Sequence, residues 1–180
     1  MHPMTEANLH NAFSGESMAH MRYNVYARVA EKEGFKQVGK LFRAIAFAEQ
    51  VHATNHLTRM PLRPAAAVGE TPMGVGSTSQ NLQFGVDGET FEIEEMYPAY
   101  LEVAKMQGEK TAQLSFTYAW NTEKIHQKLF KEAKQLVDSG NDWKQVKVHV
   151  CEVCGYTGEG EAPDKCPFCG ATKEAFKSFI

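Results

Sequence analysis

The chain has 180 residues, of which 43% are hydrophobic and 23% charged, so it suits one good-sized domain or a domain with a small appendage. A formal net charge of -3 with no basic cluster argues against general nucleic-acid binding. No apolar run approaches the roughly 20 residues of a membrane span. The first residues also lack the apolar core of a signal peptide. These features predict a cytoplasmic protein that is not bound to a membrane.

Apolar residues recur at three- and four-residue steps through the first 140 residues, which predicts four helices. We place them at residues 5–33, 36–59, 80–107 and 109–138, and Pro98 predicts a kink in the third. A Gly/Pro/Ser-rich loop of roughly 20 residues separates the second and third helices and is long for a bundle. It predicts a crossover between helices running the same way, a surface excursion or a hinge.

A sequence repeat relates the two halves of this helical region. Glu49 and His52 form a Glu-x-x-His motif that recurs as Glu123 and His126, and an earlier glutamate in each half recurs in the same order. At this spacing both side chains of a motif project from one helix face, one turn apart. The repeat predicts two helical hairpins, related by a pseudo-twofold axis, that close into a four-helix bundle.

The repeated residues form the ligand set of a carboxylate-bridged dimetal site, in which two helices each supply a Glu and two supply Glu-x-x-His. Oxygen ligands with two imidazoles suit iron or manganese better than copper or a thiolate-type zinc site. Burying these glutamates would be unfavourable without a metal. The candidate ligands are Glu16, Glu49, His52, Glu89, Glu123 and His126.

One carboxylate breaks the symmetry of the repeat. Glu92 lies one turn after a candidate ligand, whereas the equivalent position in the first half is an alanine. Four glutamates balance two divalent ions, so a fifth becomes useful when the ions are oxidised. Tyr23 and Tyr97 are candidates to donate hydrogen bonds to ligating carboxylates, with simple core packing as the alternative. For His20 and His56 we favour supporting or surface roles over ligation.

All four cysteines lie in the last 30 residues, in C-E-V-C-G-Y and C-P-F-C-G-A, with eleven residues between the two cysteine pairs. This spacing predicts a tetrahedral four-thiolate metal site and a reducing compartment. Zinc and iron both accept four sulfurs, so a structural zinc ribbon remains open. Glycines after each pair permit turns whose N–H groups point at the sulfurs, which favours a redox iron. The ligands are Cys151, Cys154, Cys166 and Cys169.

Together these segments resemble the rubrerythrin family over nearly the whole chain. A-F-S-G-E-S, A-E-Q-V-H, D-G-E-T-F-E-I-E-E-M-Y-P and T-E-K-I-H are similar to its diiron bundle, and the cysteine motifs to its rubredoxin-like domain. The resemblance implies a mainly α fold, with a ferritin-like four-helix bundle over residues 1–147 and a rubredoxin-like Fe(Cys)4 domain over 148–180. It also implies a cytoplasmic non-haem peroxidase that reduces hydrogen peroxide to water in oxidative-stress defence. The electrons would come from NAD(P)H through a separate reductase or rubredoxin.

The resemblance also implies a role for each ligand. Glu49 and Glu123 would bridge the two irons, and Glu16 would be terminal on one of them. Glu92 and His52 would exchange on that iron, with the glutamate bound when it is oxidised and the histidine when it is reduced. The second iron would be held by Glu89 and His126. The cysteine site would hold iron in the native protein, with zinc possible in recombinant protein.

Two other functions fit parts of the sequence. A ferritin-type protein that oxidises and stores iron shares the glutamate and histidine framework, but the thiolate tail and Glu92 favour the peroxidase. A zinc-ribbon adaptor on a helical stalk leaves the buried ligands unexplained. A homodimer or larger homo-oligomer is expected, and the loop at 59–79 could permit exchange of helical hairpins between subunits. The sequence indicates no separate substrate cavity.

Overall fold

The computed structural model describes residues 1–69 and 71–180 and has a helical bundle followed by a small β domain. The helices are α1 (Pro3–Lys32), α2 (Lys36–Leu57), α3 (Thr78–Phe91), α4 (Tyr97–Met106) and α5 (Lys110–Asp138). The strands are β1 (Val148–Cys151), β2 (Thr157–Glu159) and β3 (Phe176–Phe179), with a 3-10 turn at Lys173–Ala175. The predicted mainly α fold with a cysteine-bearing tail is confirmed.

The third helix predicted over residues 80–107 is helical from Thr78 to Met106, but it is not a regular α-helix throughout. A π-helical turn, Glu92–Met96, separates α3 from α4, and Pro98 lies in the first turn of α4. Proline has no N–H to donate four residues back, and its ring would clash with the carbonyl there in a continuous α-helix. The wide turn changes the hydrogen bonding just before the proline, since the Tyr97 N–H donates to the Glu92 carbonyl. The predicted kink is therefore a π turn.

The connection between α2 and α3 crosses the bundle along α1. Near the start of α1, the Arg63 guanidinium donates to both carboxylate oxygens of Glu6 at 2.6 Å. Near the end of α1, the backbone N–H and hydroxyl of Thr78 donate to the Glu33 carboxylate at 2.9 and 2.6 Å. The loop thus returns the chain to the end from which α2 began. Of the three predicted alternatives, the loop is the crossover.

Two apolar clusters fill the bundle on either side of its acidic centre. The first is built around Tyr23, Phe42 and Phe130, whose ring centroids lie 5.2–5.9 Å apart. Gly85 packs against the Phe130 ring so closely that a Cβ there would lie 2.8 Å from it, which explains the glycine inside α3. The second cluster includes Phe116 and residues from α1 and α4. These clusters surround the buried carboxylates with hydrophobic material.

The tail is a three-stranded antiparallel sheet, ordered β2-β1-β3, that lies against its own bundle. The Asp142 carboxylate accepts hydrogen bonds from the Gln37 and Val38 N–H groups at 2.8 and 3.1 Å and so caps the start of α2. Towards the other end of α2, the Asn55 amide donates to the Val153 carbonyl at 2.9 Å. This path brings the first cysteine turn over the middle of the bundle.

Within the described residues, none of the helices has the length and apolar character that crossing a membrane requires.

Candidate metal centres

The bundle brings six predicted side chains together at its centre, from four different helices. They form two groups, and in each group the potential ligand atoms lie within 4.8 Å of one another. The groups share Glu49 and Glu123, which are 1% and 0% exposed. One group adds Glu16 and His52, and the other adds Glu89 and His126.

The distances within these groups fit a pair of metal ions. His52 Nδ1 lies 2.9 Å from one oxygen each of Glu49 and Glu123, and His126 Nδ1 lies 3.2 and 2.7 Å from the other two oxygens. Two ligands about 2.1 Å from one ion and at right angles to each other are about 3 Å apart. These four oxygens and both Nδ1 atoms have no hydrogen-bond partner among the described residues. Buried polar atoms of this kind need a ligand such as a metal.

Without metal, this centre is electrostatically strained. Burial raises the pKa of Glu16 and of Glu89 well above the usual range, and the neighbouring carboxylates raise both further. Burial alone would lower the pKa of His126, but Glu49 and Glu123 outweigh it and raise that pKa to about 9. The centre therefore attracts positive charge, either as protons or as metal ions.

Two tyrosines hold the outer carboxylates. The Tyr23 hydroxyl donates to Glu89 Oε1 at 2.9 Å, and the Tyr97 hydroxyl donates to Glu16 Oε1. Because the Tyr97 proton is used in this way, its oxygen accepts from His56 Nε2, 3.2 Å away. Burial lowers the pKa of His56 to about 3, so its ring is neutral and its Nδ1 can accept from the Ser115 hydroxyl at 2.9 Å.

His56 is thus a supporting residue two steps from Glu16, whereas His20 Nδ1 contacts the backbone carbonyl of Ala46 at 2.6 Å. The position of His56 one turn after His52 indicated its supporting role. Nothing in the spacing pointed to Ser115, which lies on a distant helix.

Glu92 lies outside both ligand groups, in the π turn. Its side chain is on the wall of a cavity between α1 and α3. Burial, followed by the nearby charge of Glu16, raises the pKa of Glu92 well above the usual range. In this structure His52, rather than Glu92, is grouped with Glu16.

The four cysteines form a separate centre in the tail, with their ligand atoms all within 4.8 Å of one another. The sulfurs of Cys151 and Cys169 are 3.6 Å apart, and those of Cys154 and Cys166 are 3.5 Å apart. A disulfide would require about 2.05 Å. A tetrahedron of sulfurs around a metal at about 2.3 Å has edges of about 3.8 Å, so these distances fit a four-thiolate metal site.

The environment of Cys151 favours a thiolate. Its pKa falls to about 5, because the Cys154 thiol donates to it and the Val153 and Cys154 N–H groups also point at its sulfur, against an opposing effect of burial. Gly155 and Gly170 follow the two knuckles with φ of 84° and 76°, the left-handed conformation that the predicted tight turns require.

Comparison with known proteins agrees with both centres. The rubrerythrin family model matches residues 7–134, and the model of the rubrerythrin rubredoxin-like domain matches residues 149–177. The chain belongs to the rubrerythrin family. It contains a diiron carboxylate/histidine site and a rubredoxin-like four-cysteine site, and it is an oxidoreductase of the peroxidase class that characterises rubrerythrins.

Individual relatives cover almost the whole chain. Rubrerythrin-2 of Clostridium acetobutylicum is 42% identical over 178 residues, which span 98% of this chain and 97% of that protein. Nigerythrin of Nitratidesulfovibrio vulgaris is 33% identical over 180 residues, 97% of this chain and 86% of that protein. A solved structure of nigerythrin in a mixed-valence state superposes with a TM-score of 0.86 at 31% identity, covering 99% of this chain and 88% of that one.

In this rubrerythrin-family chain the tail touches both imidazoles of the bundle centre. The Thr157 hydroxyl donates to the Gly155 carbonyl at 3.0 Å, so its oxygen accepts from His126 Nε2, also 3.0 Å away. His126 Nδ1 is thereby left with a lone pair for a metal. Gly155 lies so close to the other imidazole that a Cβ there would be 2.1 Å from His52 Nε2. Sequence reasoning missed both contacts, because no spacing pattern links the tail to α2 or α5.

Proposed function

We propose that this chain reduces hydrogen peroxide to water at the diiron site, with electrons that enter through an iron bound by the four cysteines. The O–O bond breaks, and peroxide takes up two electrons and two protons to give two water molecules. A rubredoxin or an NAD(P)H-dependent reductase in the cytoplasm would supply the electrons. The protein would act as a homodimer or larger homo-oligomer.

We assign the ligands of this proposal as follows. Glu49 and Glu123 would be shared by both irons, because each offers two buried oxygens to the two groups. Glu16 and His52 would complete the set that holds one iron. Glu89 and His126 would complete the other set, and the cysteine iron would be held by Cys151, Cys154, Cys166 and Cys169. The domain division at 147/148 belongs to the same proposal, since β1 begins at Val148.

The observation that carries this proposal is the contact between the tail and both imidazoles. Gly155 follows the second thiolate ligand directly and lies against His52, while Thr157 contacts His126. Electrons leaving the cysteine iron would thus reach the bundle ligands within one chain. A protein that only stores iron has no use for such a connection, so the contact favours the peroxidase over the ferritin-type alternative.

When bound, the diiron pair supplies the electrons that cleave the O–O bond. The surrounding residues orient its ligands and move protons. Tyr23 and Tyr97 hold the outer carboxylates in place. Burial raises the pKa of Glu92, which favours the protonated carboxyl group that can donate to the departing oxygen. In the oxidised protein Glu92 would take the place of His52 in holding the iron, and its negative charge would balance the higher charge of the metal.

Stopped-flow mixing tests the reaction. The reduced, iron-loaded protein is mixed with hydrogen peroxide or with oxygen, and oxidation of both centres is followed by absorbance. We expect peroxide to react faster than oxygen, and the ferric-thiolate band to appear as the tail iron is oxidised. An oxygen reaction as fast as the peroxide reaction would refute the peroxidase assignment.

The role of Glu92 is tested with Glu92→Ala and with Glu95→Ala as a control. Glu95 lies in the same π turn but is exposed. Glu92→Ala should keep all the iron and lower kcat by about 10²-fold, the usual scale for a general acid. Glu95→Ala should match the wild type. Loss of iron from Glu92→Ala would show that this carboxylate is a permanent structural ligand instead.

A further inference from the structure

A cavity of about 910 Å³ opens between α1 and α3, beside the bundle centre. Pockets that bind small organic molecules have volumes of about 300–1,000 Å³. Hydrogen peroxide has about the size of two water molecules, each of which occupies about 30 Å³ in the liquid. The cavity is therefore far larger than hydrogen peroxide requires, contrary to the sequence-based expectation of no substrate cavity.

The walls of this cavity are mainly apolar. The apolar lining residues include Met18 on α1 and Phe91, Met96 and Tyr100 on the opposite side. Among the described lining residues the ionisable side chains are Arg22, Asp87 and Glu92, and with Glu92 protonated, as in the proposed function, the other two formal charges cancel. A neutral molecule with an apolar body fits such a wall better than an anion does.

Two glycines keep the cavity open next to the ligands. Gly15 and Gly88 line it, and each directly precedes a candidate ligand, Glu16 or Glu89. A Cβ at either glycine would meet no atom of the described residues within 4 Å, so alanine would fit. Glycine inside a helix is less stable than alanine by about 1 kcal/mol. The chain therefore has glycine where packing would accept a side chain, and the result is open space beside the metal centre.

We propose that this cavity admits neutral organic hydroperoxides with an apolar body, and that the chain reduces them to the alcohol and water. This reduction rests on the proposed function, and its electrons come from the same diiron site. The O–O bond breaks, and the hydroperoxide takes up two electrons and two protons, which yields one alcohol and one water. Glu92 lies on the cavity wall and also interacts electrostatically with Glu16. It marks the point at which the hydroperoxide group meets the site.

The test compares cumene hydroperoxide with hydrogen peroxide in the iron-loaded wild-type protein. Calorimetric titration of the resting protein with cumyl alcohol, the expected product, measures binding without turnover. We expect saturable binding at one site per chain and reduction of both peroxides. The variant Gly88→Leu places a side chain in the cavity, and Gln83→Leu places the same side chain on an exposed part of the same helix.

In Gly88→Leu, the ratio of kcat/KM for cumene hydroperoxide to that for hydrogen peroxide should fall at least about tenfold. Cumyl alcohol binding should weaken in parallel, whereas Gln83→Leu should keep the wild-type ratio. Gly88→Ala, which favours the helix, should lower the same ratio by a smaller factor. This variant keeps the test decisive if the leucine variant fails to fold.

The possible failures are distinguishable. If hydrogen peroxide is reduced but cumene hydroperoxide is not, the inference is overturned and the proposed function stands. If neither is reduced, the proposed function itself fails. Absence of cumyl alcohol binding, or an unchanged ratio in both Gly88 variants, would also overturn the inference.

Discussion

The two metal centres of this chain are built in opposite ways. The cysteine centre comes from two short knuckles between Cys151 and Cys169, in a domain whose own buried cluster consists largely of the cysteines. The bundle centre draws its ligands from four helices, between Glu16 and His126, and has an extensive apolar cluster on either side. In the tail, metal binding replaces a hydrophobic core. In the bundle, the hydrophobic core keeps the buried carboxylates in position even when no metal is bound.

The two centres should differ most in how the loss of one candidate ligand affects the folding of the surrounding region. Cys151→Ser should abolish the ferric-thiolate band and unfold most of the tail, because small four-thiolate domains draw about 10 kcal/mol or more of folding free energy from their metal. The helices should remain. Hydrogen exchange of peptides from 148–180, together with helical circular dichroism, measures both effects.

Glu123→Ala is the matched variant in the bundle. It should lose the diiron spectrum while the tail keeps its ferric-thiolate band and its protection from exchange. The comparison between the centres would be wrong if Cys151→Ser melted the helices, or if Glu123→Ala unfolded the tail.

A smaller effect is expected at the contact between the centres, in Gly155→Ala compared with Gly170→Ala. Both glycines have positive φ, which costs alanine about 1–2 kcal/mol. Only at residue 155 would the new Cβ also overlap an imidazole, since no atom of the described residues lies within 4 Å of the corresponding point at residue 170. Gly155→Ala should therefore lift the tail from the bundle and slow electron transfer between the centres at least about tenfold.

The rate is measured by flash reduction of the tail iron in protein whose diiron site is oxidised, followed by reoxidation of the tail iron as the diiron site is reduced. Gly170→Ala should transfer electrons as fast as the wild type, with only lower thermal stability. Equal rates in the two variants would show that electrons do not cross at Gly155.

The sequence was sufficient to select the six side chains that cluster at the bundle centre, because their positions follow local rules. Glu49 and His52 are one helical turn apart, the pattern is repeated, and amphipathic helices must direct such a face inwards. The four cysteines are equally local. Pro98 predicted a kink but not its form as a π turn at Glu92, and the docking of Thr157 on His126 and the open cavity have no local signature. They depend on which helices and loops meet in three dimensions, and that information is not carried by any spacing along the chain.

The stability of the metal-free bundle, unlike that of the tail, should depend on pH through the protonation of the buried groups at its centre. Raised pKa values in the folded state make Glu16, Glu89 and His126 stabilising while they are protonated. For His126 this contribution is complete below the unfolded pKa of about 6.5 and is lost as the pH rises through about 9. The pKa of His56 is lowered to about 3, so its effect has the opposite sign. Its contribution to stability is complete above pH 6.5 and is lost on acidification through about pH 3.

Between about pH 6.5 and 9 the metal-free bundle should therefore lose stability, by up to about 3 kcal/mol through His126 alone. Helix melting temperatures across this range, measured with and without iron, provide the check. Iron-loaded protein should vary much less, because metal ions take the place of the protons. A metal-free bundle that becomes more stable between pH 7 and 9 would contradict the assignment of these shifts.

The smallest expected effect concerns a single hydrogen bond between the two regions. Thr157→Val keeps the shape of the side chain but removes the oxygen that accepts from His126 Nε2, so a buried donor loses its partner at a cost of about 1–2 kcal/mol. The imidazole is then free to turn or change tautomer, and iron affinity at that site should fall about tenfold. Thr157→Ser, which keeps the hydroxyl, should restore most of it. Competition with a chelator measures the affinity, and nitrogen NMR of the zinc-loaded protein reports the tautomer. If the valine and serine variants bind iron equally well, Thr157 only fills space, and the tail would support the bundle centre through Gly155 alone.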